Sequence, residues 1–224
     1  MKIASWNCNG KFREKFQHIL TLDADIYVIQ ECENPAEINS AEYKNFATNY
    51  IWTGENNNKG LGVFARNGIR LTENNWSKFC LRNFISVKIN DSFDLLAVWA
   101  CKPYIEEYYI YQNINISNFN EDTIIIGDFN SNAIWDKKNS IRTHSAVVQQ
   151  LNEIGICSAY HQVSKELQGE ETLPTFYLYR HIDRGYHIDH CFTAQKNIKT
   201  YQIQHNLNWL EKSDHMPILL ETKH

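Results

Sequence analysis

The sequence predicts an α/β protein built on a largely antiparallel sheet, and three observations carry that expectation. Nine short apolar runs read as strands, against three stretches with helical periodicity. Some connections look like hairpins. Neither GxGxxG nor GxxxxGK(S/T) occurs, so the glycine-rich phosphate loops of doubly wound parallel sheets are missing. With 224 residues, 43% hydrophobic and 21% charged, the chain fits one compact domain spanning residues 1–224, and a disordered or collagen-like chain is ruled out.

Taken in order, Ile3–Trp6 is the first strand-like run. In Lys11–Leu20, the residues Phe12, Phe16, Ile19 and Leu20 fall at i, i+4, i+7 and i+8, which gives one apolar helical stripe. Ile26–Gln30, Leu61–Ala65, Phe84–Ile89 and Leu95–Ala100 follow as strands. Tyr104–Phe119 returns to near-helical spacing through Ile105, Tyr108, Tyr109, Gln112 and Ile116. Thr123–Gly127 is a strand of consecutive isoleucines. Ser145–Ile154 repeats the helical pattern with Val147, Val148, Leu151 and Ile154, and Gly155 supplies its stop. Thr175–Tyr179 and Ile188–Phe192 are strands on either side of a turn region at Tyr179–Tyr186, and Pro217–Leu220 is the last strand.

The net charge of −4 offers no global basic footprint for a polyanion. It argues against a protein that holds DNA mainly by electrostatics, but an acidic metal site can bring its own cations. The 6 cysteines are scattered without a CxxC pair, which favours reduced core thiols over disulfides or zinc. No apolar run approaches the roughly 18 residues of a membrane span. Met1 to Trp6 runs straight into a strand, without the apolar stretch of a signal peptide. The expectation is a cytoplasmic monomer with no membrane partner.

Five segments share one design, in which an apolar strand meets oxygen- or imidazole-bearing side chains. They are Ile3-Ala-Ser-Trp-Asn7-Cys-Asn9-Gly10, Ile26-Tyr-Val-Ile-Gln30-Glu31, Ile124-Ile-Ile-Gly-Asp128-Phe-Asn130, Tyr186-His187-Ile-Asp189-His190 and Ser213-Asp214-His215-Met-Pro-Ile218. Singly, each reads as turn chemistry, since Asn and Asp favour turns and Asn9-Gly10 is a standard turn pair. Together they form the inventory of a hydrolytic Mg²⁺ site. Mg²⁺ is hard and small, prefers carboxylate oxygen and water, and takes one or two carboxylates plus substrate phosphate. Zinc would ask for Cys and His at tight spacing.

The set Trp6-Asn7-x-Asn9-Gly10, Gln30-Glu31, Gly127-Asp128-Phe129-Asn130, Ile188-Asp189 and Ser213-Asp214-His215 resembles the endonuclease/exonuclease/phosphatase superfamily, with its DNase I-like fold. The motifs stand in that family's order and span nearly the whole chain. The resemblance implies a four-layer α/β/β/α sandwich of two mostly antiparallel sheets flanked by helices, with the site at one end. It implies Mg²⁺, with Mn²⁺ as a substitute, Glu31 as the principal metal carboxylate and Asn7 beside it. Asp128 matches the residue that orients or deprotonates the attacking water, and Asn130 the one that holds phosphate or that water. His215 matches an imidazole on a non-bridging phosphate oxygen with Asp189 as its carboxylate partner. Asp214 matches a second metal-side or leaving-group carboxylate. These roles suit an anionic phosphodiester, which needs its charge neutralised while water needs a base and an in-line geometry.

Around that centre Asn9 is expected to bind substrate. Family members often carry Tyr or His after the middle strand; here the chain reads Val98-Trp99-Ala100-Cys101-Lys102-Pro103-Tyr104, so Lys102 or Tyr104 stands as a phosphate contact. Trp135, close behind the Asp128 motif, is placed to stack on a base or sugar, and His187 to touch phosphate. His181, His187 and His190 otherwise read as a solvated hairpin rim. Cys8, Cys32, Cys101 and Cys191 lie one or two residues from site positions, and strand alternation turns those directly adjacent to a site residue into the core. Lys59, Arg66, Lys102, Lys137, Lys138 and Arg142 offer local positive charge. The reading is a metal-dependent phosphodiesterase on nucleic acid, DNA or RNA, without strong abasic-site preference. The alternative is a phosphatase or diesterase for small or lipid-linked phosphate esters. A non-catalytic binding protein on the same fold would be expected to have lost site residues, and all seven are present.

Overall fold

Successive side chains of a strand point to opposite faces, and in the computed structural model, which describes residues 1–138 and 141–224, this alternation builds two sheets packed on each other. The first contains β1 (Lys2–Asn7), β2 (Ile26–Cys32), β3 (Tyr50–Asn56), β4 (Lys59–Ala65), β13 (Ile198–Ile203) and β14 (Ile218–Thr222), in the order β13-β14-β1-β2-β4-β3. The second contains β5 (Leu71–Glu73), β6 (Phe84–Ile89), β7 (Phe93–Trp99), β8 (Thr123–Asp128), β9 (Cys157–Ser158) and β12 (Asp189–Thr193), in the order β5-β6-β7-β8-β12-β9. Among the described residues, β1–β2 and β7–β8 are the parallel pairs and the other ladders are antiparallel. A two-stranded hairpin, β10 (Phe176–Tyr177) and β11 (Gly185–Tyr186), stands apart from both.

Ile3, Ile26, Val28, Leu61, Val63, Ile218 and Leu220 of the first sheet meet Ile85, Val87, Leu95, Ile124, Ile126 and Cys191 of the second in a core between them. The intervening residues face outward. Trp6, Tyr27, Ile29 and Phe64 pack under α1 (Phe16–Leu20) and α2 (Ala41–Phe46). Phe84, Leu96, Val98, Ile125 and Phe192 pack under α3 (Ile105–Asn115) and α4 (His144–Glu153). A fifth helix, α5 (Ala159–Ser164), adds Ala159 and Tyr160 to the central core. The result is the four-layer α/β/β/α sandwich. Among the described residues no helix is long and apolar enough to cross a membrane.

Several elements depart from the sequence reading for local reasons. The stripe in Lys11–Leu20 is buried as expected, but the segment is a 3₁₀ turn at Phe12–Glu14 followed by the short α1. The break falls at Lys15, whose backbone leaves helical geometry while its ammonium reaches back to the Cys8 carbonyl at 2.7 Å. In α3 it is Tyr111, not Tyr109, that is fully buried. Thr175–Tyr179 shortens to β10, because Tyr179 and Arg180 enter the left-handed region at φ 56° and 60°. The edge strand β13 escapes the sequence reading because its mostly polar, exposed residues carry little apolar signal, and β3 because its apolar run, Tyr50-Ile51-Trp52, is short and only half-buried. Gly155 ends α4 at φ 79°, and Thr143 caps the start of that helix through Ala146 N–H at 3.0 Å.

Two interior features meet at the Val98 carbonyl where the strands end, one between the sheets and one within the second sheet. Gln30 is fully buried in β2 and donates to Ser5 Oγ at 3.0 Å and across the interior to the Val98 carbonyl of β7 at 3.3 Å. Gly127 adopts φ 152°, and a Cβ there would collide with that same Val98 carbonyl oxygen. Gly127→Ala therefore forces overpacking and backbone strain in the residue before Asp128. It is expected to cost roughly 2–4 kcal/mol and to lower Tm by about 5–10 °C, measured by thermal unfolding followed by circular dichroism.

Candidate active site

The rows of inward-facing residues do not stop at the apolar core. On β1 the row Ile3, Ser5 continues to Asn7; on β8 Ile124, Ile126 continues to Asp128; on β12 Cys191 is followed, in the opposite direction, by Asp189. Asp189 and Asp128 are direct partners in the β8–β12 ladder. The same alternation that fills the core with isoleucine thus delivers an amide and two carboxylates to one end of the sandwich. Parity alone would put Glu31 on the outer face with Ile29. A register irregularity between Gln30 and Cys32, with Glu31 at φ 63°, re-aims its side chain toward Asn7.

Asn7, 2% exposed, sits at the centre. Its Nδ2 donates to Asp128 Oδ2 at 2.9 Å and to Glu31 Oε1 at 3.3 Å, and its Oδ1 accepts from Asn9 N–H at 3.0 Å. Asn9, at φ 53°, donates to Asp214 Oδ1 at 3.0 Å. Ser213 ties this end together, donating to the Asn7 carbonyl at 2.6 Å and accepting from His215 N–H at 3.1 Å. Trp6 Nε1 holds the His215 carbonyl at 3.0 Å. Asn130, at φ 48°, folds over Asp128: its N–H donates to Oδ1 at 2.8 Å and its Nδ2 to Oδ2 at 3.0 Å. Asp189 Oδ2 faces His215 Nδ1 at 2.9 Å, which leaves Nε2 as the ring nitrogen available to a substrate. Thr175 Oγ1 accepts from the N–H groups of both Ile188 and Asp189 at 2.9 Å and fixes the start of β12.

Charge in this enclosure follows from burial. The Asp128 carboxyl is pushed up to about 7, first by desolvation and then by the Asp189 charge beside it, with His215, Asn7 and the Asn130 N–H pulling the other way. Burial alone would lower His215, but the Asp189 charge and hydrogen bond, helped by Asp128 and Asp214, hold it up at about 10. Cys8, Cys32 and Cys191 are buried away from the site with their thiols raised by desolvation, so they serve as core residues.

The donor set fits a hard divalent cation, being rich in carboxylate and amide oxygen. Among the described residues, Asp128, Asp189 and His215 form a group whose ligand atoms lie within 4.8 Å of one another. Asp189 and His215 already satisfy each other, whereas Glu31 is more open, paired at its Oε2 with Lys59 Nζ at 2.9 Å. Lys59 belongs to this neighbourhood by geometry that no sequence motif marks.

Beside Asn130 opens a cavity of about 360 Å³, lined by Tyr104, Ile105, Asn130, Trp135, Phe176 and Ile188 among others. Trp135 is half-buried there, its ring 5.3 Å from that of Tyr186. Tyr104 lines the cavity, while Lys102 is exposed in the preceding turn. Arg142 lies 4.0 Å from Glu106, and the side chain of Lys138 lies outside the described residues.

His187 requires a correction. It is 3% exposed, its Nδ1 meets the Leu173 carbonyl at 2.8 Å, and its ring packs 4.4 Å from Tyr160, so it faces the interior and not a phosphate. His190 is buried as well, and only His181 of the expected rim is solvated. The buried histidines belong to a polar network the sequence reading missed, which backs the Asp128 loop. Ser131 Oγ pairs with His144 Nδ1 at 2.8 Å and the Ser131 carbonyl with His190 Nε2 at 2.9 Å. Asn132 Nδ2 bridges Glu171 Oε2 at 3.0 Å and the His187 carbonyl at 2.9 Å. Burial keeps these rings neutral, lowering His144 to about 4 and His187 and His190 in the same direction. The sequence signal available was the Ser131-Asn132 pair directly after the motif; its partners lie 13 to 59 residues away.

Residues 4–215 match the Endonuclease/Exonuclease/phosphatase family. No curated protein sequence matches the chain. Among solved structures, the fold is similar to a 3′ phosphatase from Neisseria bound to a product DNA hairpin, a 3′–5′ exonuclease from Neisseria meningitidis and an AP endonuclease from Archaeoglobus fulgidus. Each aligns with a TM-score of 0.72 at 18% identity and covers 100% of both chains.

The Asp189–His215 pair carries a titration prediction. Because His215 is raised from 6.5 to about 10, the stability it contributes is fully present below pH 6.5 and is lost as pH rises through about 10. In metal-free protein, ring ¹⁵N shifts should show His215 still charged at about pH 8. In Asp189→Asn, burial dominates and the ring should lose its proton below the ordinary histidine value. An unchanged midpoint in that variant would remove Asp189 as the cause.

Proposed function

The chain belongs to the endonuclease/exonuclease/phosphatase family, whose members hydrolyse phosphate esters, and on that premise we propose that it is a divalent-metal-dependent phosphodiesterase cutting nucleic acid. The observation that carries the reading is the convergence of Asn7, Asp128, Asp189 and His215 at one end of the sandwich beside an aromatic-walled cavity. A cytoplasmic setting is part of the proposal, supported by six free cysteines.

In this reading Asp128 takes the proton of the attacking water. A carboxyl held near 7 is matched to that task at neutral pH, where a base must be ionised yet still basic. Asn7 and Asn130 keep both of its oxygens in place, and Asn130 is placed to contact the phosphate or the water. His215, charged through Asp189, donates from Nε2 to a non-bridging phosphate oxygen and stabilises the charge that builds there. Glu31 and Asn7, with Asp214 on the Asn9 side, would hold Mg²⁺ or Mn²⁺. When bound, the ion neutralises phosphate charge and polarises the ester.

The cavity supports a nucleic-acid substrate, because Trp135, Phe176 and Tyr104 offer ring faces to a base or sugar next to the phosphate position. The exposed β10–β11 tip adds Tyr179, Arg180 and Arg184 beside strand-edge contacts to Asp214 and His215. With a net charge of −4, phosphate contacts are few and binding should weaken only modestly with salt. No element described here singles out an abasic site, and the proposal carries no strong preference for one.

A chelator should abolish cleavage of single-stranded oligonucleotides and Mg²⁺ or Mn²⁺ should restore it, while far-ultraviolet circular dichroism stays unchanged. Full turnover in excess chelator would overturn the metal reading. Asp128→Asn and His215→Ala should each lower kcat by about two or more orders of magnitude. Above pH 7 the Asp128→Asn protein should melt no lower than the wild type, since it removes a carboxylate whose ionised form burial penalises. Trp135→Ala should raise KM on oligonucleotides by roughly 5- to 100-fold, the scale of base stacking, while sparing a small chromogenic diester. Equal losses on both substrates would remove Trp135 from the binding surface. Hydrolysis of small phosphate esters alone, with every nucleic acid resistant, would favour a small-molecule phosphatase.

A further inference from the structure

Each oxygen of Glu31 is paired, and one of the partners is a cation. Oε1 accepts from Asn7 Nδ2 at 3.3 Å, and Oε2 faces Lys59 Nζ at 2.9 Å. The ammonium also lies 5.5 Å from the Trp99 ring centroid, so it is attracted from a second side. Lys59 opens β4, whose backbone is held by ladders to β2 on one side and β3 on the other. Its half-exposed side chain can swing by rotamer changes alone.

An ammonium and a divalent cation drawn to the same carboxylate oxygen repel each other, so each weakens the other's hold there. We infer that Lys59 competes with the metal for Glu31 and, when displaced, turns to the substrate phosphate, so that loading the ion frees a phosphate contact. This rests on the proposed metal-dependent reading of the site. The exchange is feasible because a partly exposed ion pair is weak, whereas a divalent ion gains twice the charge interaction at the same oxygen. The displaced ammonium remains tethered by a four-carbon stem at the rim of the site, where the incoming anion is the nearest uncompensated charge. A purely structural ion pair would leave the salt slope of substrate binding unchanged when its charge is removed, whereas a hand-over tightens the metal and also loses one phosphate's share of that slope.

The test uses Lys59→Met, which keeps the stem and removes the charge, with Lys59→Arg as the charge-retaining control. Mn²⁺ binding, followed by electron paramagnetic resonance without substrate, should tighten about three- to tenfold in the Met variant. At saturating Mn²⁺, KM for a single-stranded oligonucleotide should rise about three- to tenfold, and its salt slope should fall by about 0.7, one phosphate's share. The Arg variant should match the wild type in both. Unchanged or weaker Mn²⁺ binding in Lys59→Met, an unchanged KM and slope, or an Arg variant behaving like Met would each overturn the inference. Glu31→Gln separates the two levels. If it leaves Mn²⁺ binding intact, the metal reading itself fails; if it abolishes binding while Lys59→Met has no effect, only the role of Lys59 fails.

Discussion

Two carboxylates face each other across the β8–β12 ladder inside the protein, and much of the site's geometry serves to make that tolerable. Asp128 and Asp189 are both nearly inaccessible to solvent, where unpaired like charges cost several kcal/mol each. The compensation is directional. Asp189 is answered by His215, whose backbone is clamped by Ser213 and Trp6. Asp128 is answered by three N–H donors from Asn7 and Asn130, and by a proton affinity raised toward neutrality. One carboxylate thus stabilises a charged imidazole while the other is left basic. That division between neighbouring carboxyl groups matches the roles proposed for them in hydrolysis.

The supporting structure divides into an apolar and a polar part. The apolar part, between the sheets, sets where the strands end and so where Asn7, Asp128 and Asp189 lie relative to one another. Gln30 reaches across to the Val98 carbonyl and ties the two sheets together at that end, and the missing side chain of Gly127 lets β8 lie against the same carbonyl of its neighbour β7 within the second sheet. The polar part lies behind Ser131 and Asn132, where His144, His190 and Glu171 hold a loop whose backbone would otherwise be buried without partners. Neutral histidines suit that place, since each can donate from one nitrogen and accept at the other.

Much of this was legible along the chain. The apolar runs located the inner strands to within two residues at each end because buried strands are read by composition alone. The ordered motifs singled out Asn7, Glu31, Asp128, Asn130, Asp189 and His215, which converge at one end of the sandwich. His187 shows the limit: His-Ile-Asp puts His187 and Asp189 on one face of an ideal strand, but β12 begins only at Asp189, and His187, ahead of the strand, packs against Tyr160 of α5. Lys59 shows the converse, a residue with no motif brought to Glu31 by the β2–β4 ladder.

Strand periodicity is local, so the sequence by itself determined the inner strands, a largely antiparallel α/β class and the polar residues at the strand ends, while the sandwich was implied only by the resemblance of the ordered motifs to a known family. Distances between residues far apart in the chain depend on ladder register and on the packing of one sheet against the other. Only the tertiary structure decided that Glu31 leaves its parity through a bulge at φ 63°. Register likewise set Asp128 opposite Asp189, and in that packed interior desolvation raised Asp128 while the Asp189 charge and hydrogen bond held His215 up against its own burial. Desolvation is a property of the packed interior, not of any residue in the unfolded chain, and no reading along the sequence contains it.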